Sequence, residues 1–161
     1  LWYQKELYLI SRALPELSEE ADFESDLMGP YSELADQQTD RLRMERVVDP
    51  EQKQLTKNGQ KVALKIEAQY SEDTKKFIGE IKSFLNDLSK DELLGFIYYA
   101  YPDMRVDSLE FKRISAKRQD IAVNLFKKNK ISLGKAALIS GLPQEDIIDL
   151  LQSKGIAVFA E

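Results

Sequence analysis

Cysteine and histidine are both absent from this sequence of 161 residues. Their absence excludes disulfides, zinc sites built on thiolate or imidazole, thiol nucleophiles and imidazole general bases. Long apolar runs are missing too. None approaches the ~18 residues of a membrane span, and no secretory leader pattern opens the chain. Nor is there a phosphate-binding glycine loop, a dinucleotide fingerprint, a nucleophile elbow or a calcium-loop spacing. With no catalytic motif and no metal-ligand spacing, the expectation is a protein that is no enzyme, needs no cofactor or metal, avoids the membrane and works in the cytoplasm. The first residue is leucine, which leaves open what precedes it.

What is present suits a folded chain: 43% hydrophobic and 32% charged residues, enough for one ordinary domain or two small ones. The net charge of −5 hides a segregation. Residues 1–40 hold two basic and ten acidic side chains, and residues 41–104 balance at eleven of each. Residues 105–135 hold nine basic side chains against three acidic ones. A basic block in an acidic protein attracts phosphate. It reads equally as a solvated helix face, or as a patch that docks on the protein's own acidic front.

Periodicity and punctuation predict a mainly α fold with a small β-hairpin. Residues 1–12 read as a helix ended by Pro15, and residues 16–28 as an acidic, irregular stretch with one short extended piece. Ser32 caps a helix to about Arg46. Val47-Val48 and Gln54-Leu55 form two very short strands, and Thr56 caps the next helix. Helix, loop, helix, hairpin, helix is the order of a winged helix, with residues 47–55 as the wing and the helix over 32–46 in the recognising position. Its Arg41, Arg43 and Arg46 also suit a helix C-terminus with no ligand at all. Residues 72–87 form a further helix. Ser89-Lys-Asp-Glu92 is a capping box that opens another, running to Pro102. The aromatic run Phe96-Ile-Tyr-Tyr-Ala-Tyr101 reads as core in preference to a stacking platform for bases. The expected domains are a winged-helix-like unit over 1–104, a connector over 105–114, and a helix-turn-helix unit over 115–161 whose first helix opens at Ser115.

The helix-turn-helix reading rests on residues 131–151. Ala137 is small where two helices approach, and Gly141 supplies a turn with positive φ. Leu133, Ala136, Leu142, Ile147, Ile148 and Leu151 recur at helical spacing. Gly155 ends the last helix, and Ile156-Ala-Val-Phe159 is an apolar tail that either adds to a partner or folds back on its own core.

Ala122-Val-Asn-Leu-Phe126, Lys130-Ile-Ser-Leu-Gly-Lys-Ala-Ala137, Gly141-Leu142, Leu150-Leu151 and Gly155-Ile156 resemble short prokaryotic helix-turn-helix proteins described as antitoxin-like. Gly29-Pro-Tyr-Ser32, Leu55-Thr-Lys-Asn-Gly59 and Tyr101-Pro102 more weakly resemble archaeal proteins related to phage-associated and SocA-like antitoxin domains. Together the resemblances imply a small archaeal regulator tied to a toxin–antitoxin or defence system.

Two functions follow. The first is a DNA-binding transcriptional regulator, whose duplex contacts come from Arg113, Lys117, Arg118, Lys127, Lys128, Lys130, Ser132, Lys135 and Gln144, mainly to phosphate. The second is a protein-interaction module that uses the helix-turn-helix as a scaffold without touching DNA. A homodimer formed through residues 72–101 is compatible with both. Against groove insertion stand Glu145, Asp146 and Asp149 on the second helix, where carboxylates oppose the phosphate attraction that dominates affinity.

Overall fold

The computed structural model describes residues 2–52 and 54–158. Ten α-helices, a 3-10 turn and one two-stranded hairpin lie among them, so the fold is mainly α with a small β-hairpin. Contacts gather into two compact units. Among the described residues, one comprises those up to Glu24 with those from Pro30 to Ser83, the other Ser25–Gly29 with those from Phe84 onward. The division therefore falls within a helix near residue 83. The expected connector, residues 105–114, lies inside the second unit.

The first unit opens with α1 (Trp2–Ser11) and α2 (Pro15–Ala21). Pro15, expected to end the first element, instead starts the second at the helical position where a missing N–H costs nothing. The chain then makes β1 (Glu24–Asp26) and β2 (Gly29–Tyr31) before α3 (Glu33–Met44). Ser32 is the N-cap of α3 as predicted, its hydroxyl accepting from Ala35 N at 3.0 Å. Buried polar groups of α1 fix this junction. The Gln4 amide donates to Ser32 O and accepts from Ser32 N, both at 3.0 Å, and Lys5 Nζ donates to Pro30 O at 2.8 Å. Each buried polar atom is thus satisfied, so burial costs little.

The predicted wing is reduced to a single antiparallel bridge, Val48 with Leu55. Asp49 N to Gln54 O at 2.8 Å and Thr56 N to Val47 O at 3.0 Å close the turn. The two-stranded sheet stands before α3 instead of after it. With Pro50 in the loop and Asp49 Oδ1 accepting from the Glu51 and Gln52 N–H groups, local Asx hydrogen bonding competes with the ladder. Thr56 caps α4 (Lys57–Glu67) as expected. Gly59 lies so close to the Val47 carbonyl that a Cβ there would stand 1.9 Å from its oxygen. That contact fixes which side of α4 faces inward.

The second unit holds the end of α5 (Glu72–Asn86), α6 (Lys90–Ala100), the 3-10 turn Pro102–Arg105, α7 (Phe111–Ala116), α8 (Arg118–Lys127), α9 (Leu133–Ser140) and α10 (Gln144–Ser153). The Ser89–Glu92 capping box is complete at the start of α6. The helix expected to open at Ser115 is two: Ser115 ends inside α7, and the chain breaks at Lys117 before α8. Leu93, Leu94, Ile97 and Tyr98 of α6 are fully buried with Ile114, Leu125 and Ile139. The aromatic run is core, Tyr98 bonding Ser108 Oγ and Tyr99 bonding Ser115 Oγ.

Candidate functional site

The helix-turn-helix forms as the spacing predicts. Ser132 caps α9, its hydroxyl accepting from Lys135 N at 3.3 Å. Gly141 ends α9 with φ +74°, and Pro143 stands at the N-cap of α10. Val123, Ala136, Ile147 and Leu151 make the core of the unit, with Phe126, Leu133, Ala137 and Leu142 around it. Ile156 and Val158 pack on the same core, so the apolar tail folds back as far as it is described; Phe159 lies outside the described residues.

The cations expected to face a ligand are mostly engaged within the unit. Arg113 grips Asp91 with both terminal nitrogens, at 2.8 and 2.7 Å, and also donates through Nε to Glu110 at 2.9 Å. Lys117 reaches the same Asp91 at 3.0 Å. Lys128 donates to the buried Glu92 carboxylate at 2.7 Å and to Asp87 O at 2.6 Å. Lys130 pairs with Asp87 at 3.1 Å and lies over the Phe84 ring. Within the second unit these cations are matched by carboxylates at 87, 91, 92 and 110.

Arg118 is held most firmly. Its guanidinium donates to the Ile139 carbonyl at 2.7 Å and the Leu138 carbonyl at 3.0 Å, and stacks over the Tyr99 ring at 4.3 Å. These carbonyls belong to the last turn of α9, where no intrahelical donor remains. Arg118 therefore caps α9 from a neighbouring helix. The guanidinium occupies the space beside Gly141, where a Cβ would stand 2.5 Å from its central carbon. The turn glycine thus serves two ends: positive φ and room for the capping cation.

Of the nine expected DNA contacts, Arg113, Lys117, Arg118, Lys128 and Lys130 are bonded internally and Ser132 is a cap. Lys127, Lys135 and Gln144 are left, with no side-chain hydrogen bond or ion pair among the described residues. On α10, Glu145, Asp146 and Asp149 are exposed, and Leu138 of α9 is 52% exposed.

Electrostatics follow the pairs. The hydrogen bonds from Arg113, then those from Lys117, outweigh burial and hold the Asp91 carboxyl at about 2, against 3.8 ordinarily. Burial pushes Glu92 upward, but hydrogen bonds from Lys128 and the Ser89 N–H overcome it and hold it below its ordinary value. A carboxyl lowered in the folded state binds its proton more readily when unfolded, so its stabilising contribution is complete above the ordinary value and fades as pH falls. The thermal midpoint of the second unit is expected to drop as pH falls from about 4 towards about 2. Asp91→Asn flattens that acid dependence; an unchanged slope in the variant contradicts the role assigned to Asp91.

Sequence reasoning missed Asp91, Glu92 and Glu110 as the partners of the basic block. Asp91 and Glu92 were legible only as first-turn acids of a capped helix.

Comparison with known proteins bears on this unit alone. Residues 97–160 match the model of an uncharacterised protein family, UPF0175. The match takes in α7 to α10 and most of α6's aromatic end, somewhat under half of the chain. No curated protein and no solved structure matches. None of the helices among the described residues is long and apolar enough to cross a membrane.

Proposed function

We propose that this chain is a regulatory binding protein, not an enzyme, whose helix-turn-helix unit serves as a scaffold for docking a partner protein. The observation that carries the reading is the fate of the charges: the cations of residues 113–130 are mostly tied to internal acceptors, while α10 shows Glu145, Asp146 and Asp149 to solvent. Carboxylates there repel a phosphate wall and suit a cationic protein surface. The likeness of Lys130-Ile-Ser-Leu-Gly-Lys-Ala-Ala137 to antitoxin-like proteins supports a regulatory role beside a co-encoded partner.

The test is co-purification of the full chain with the protein encoded next to it. Replacing Glu145 by Gln and both Asp146 and Asp149 by Asn abolishes the complex, while cooperative thermal unfolding well above the assay temperature shows that the unit stays folded. A complex indifferent to the three charges, or none with the native chain, contradicts the reading. A second reading, duplex binding by this unit, is favoured by Lys127, Lys135 and Gln144 being uncommitted. Lys127→Glu with Lys135→Glu then weakens duplex binding; under the first reading it does not.

A further inference from the structure

The free cations of the molecule are best ordered elsewhere, on α4 of the first unit. Lys57, Lys61 and Lys65 are all exposed, and none has a side-chain hydrogen bond or ion pair among the described residues. At 100° per residue they fall within an arc of roughly 80°, spread along ~12 Å of helix. The middle of that arc is roughly 160° from Gly59, whose contact with the Val47 carbonyl marks the inner side. Leu64, 66% exposed, borders the stripe on the outer side.

This stripe breaks two local rules. Lys57 stands in the first turn, at the positive end of the helix dipole, and that turn has no acidic residue. Lys57, Lys61 and Lys65 are spaced four apart, so each pair repels its neighbour along the helix. The neighbouring helices keep the rules. On α3, Arg41 pairs with Glu45 at 2.9 Å and Arg43 with Asp40 at 2.7 Å; on α5, Lys75 pairs with Glu72 at 2.8 Å. Local rules broken with no compensating contact mark a surface kept for a ligand.

We infer that the outer face of α4 binds the phosphate backbone of duplex DNA through Lys57, Lys61 and Lys65. Charge complementarity carries the choice of occupant: a row of three unpaired ammonium groups with no carboxylate partner meets a polymer of regularly spaced phosphates. The contacts are to backbone, so they position the protein without reading sequence. The inference is independent of the partner-docking role given to α10, and either can fail without the other.

The experiment is fluorescence anisotropy of a labelled duplex with the full chain across a salt series. The native chain binds at low salt, and replacing the three lysines by Glu weakens binding at least about tenfold and flattens the salt slope by about 3. Replacement by Gln flattens the slope to the same extent with a smaller loss of affinity. Because Gln removes the like charges spaced four apart and adds none, the Gln variant unfolds at a temperature no lower than the native chain, which separates lost binding from lost folding. Unchanged affinity and slope in both variants overturn the inference. So does a native chain that binds no duplex, including one that binds only vesicles of anionic lipid.

Discussion

Arg118→Ala destabilises the helix-turn-helix unit by about 2–3 kcal/mol, read from urea unfolding. The loss comprises one charge-assisted hydrogen bond to the Ile139 carbonyl, a second to the more open Leu138 carbonyl, and a modest stacking contribution from Tyr99. Arg118→Lys recovers less than half, because a single ammonium cannot serve two carbonyls in a fork and stack on a ring at once. The guanidinium also fills the space beside Gly141. Gly141→Ala must therefore bear the strain of φ +74° and displace the cation. Its cost is smaller in an Arg118→Ala background, so the two changes are not additive. Stability within ~0.5 kcal/mol of native in Arg118→Ala, the ordinary range for surface substitutions, contradicts the capping role.

Lys128→Met costs about 2–4 kcal/mol. The Glu92 side chain it leaves behind is only 6% exposed, and a buried carboxylate stripped of its cation carries most of the loss. The figure stands below that of a wholly buried pair because Lys128 itself is 37% exposed. Adding Glu92→Gln restores most of the stability, since the amide oxygen still accepts from Ser89 N and no unpaired charge remains. A double variant as unstable as the single one contradicts this. One practical consequence concerns charge reversal. Lys128→Glu abolishes any activity by unfolding the unit, whereas Lys127→Glu, at an exposed side chain without a partner, leaves the fold intact. Only the second informs on DNA.

Much of the second unit was legible in the sequence because its signals are local. The Ser89 capping box, the Gly141 turn and the apolar positions of α9 and α10 depend on neighbours within a few residues, and all but Ile148, which is half-buried and outside the core of the unit, stand as the spacing implies. What was not legible is long-range. Nothing near Arg118 in the chain says that it caps a helix twenty residues on, and nothing near Arg113 points to Asp91. A block of like charge was therefore visible while its neutralisation was not. The wing failed for a related reason. Two apolar pairs on either side of a polar loop suggest strands, but the loop's own hydrogen bonds leave only one bridge. The lysine row of α4 was readable as spacing, yet the balanced net charge of residues 41–104 concealed it. Composition averages over faces, and binding does not.

The division of labour between the two units is tested most directly by titrating the isotopically labelled full chain with duplex DNA at low salt and following each backbone amide by NMR. The account predicts that amides of residues 57–67 shift while those of residues 127–149 stay still. Shifts concentrated over residues 127–149, at the end of α8, on α9 and on α10, would contradict it.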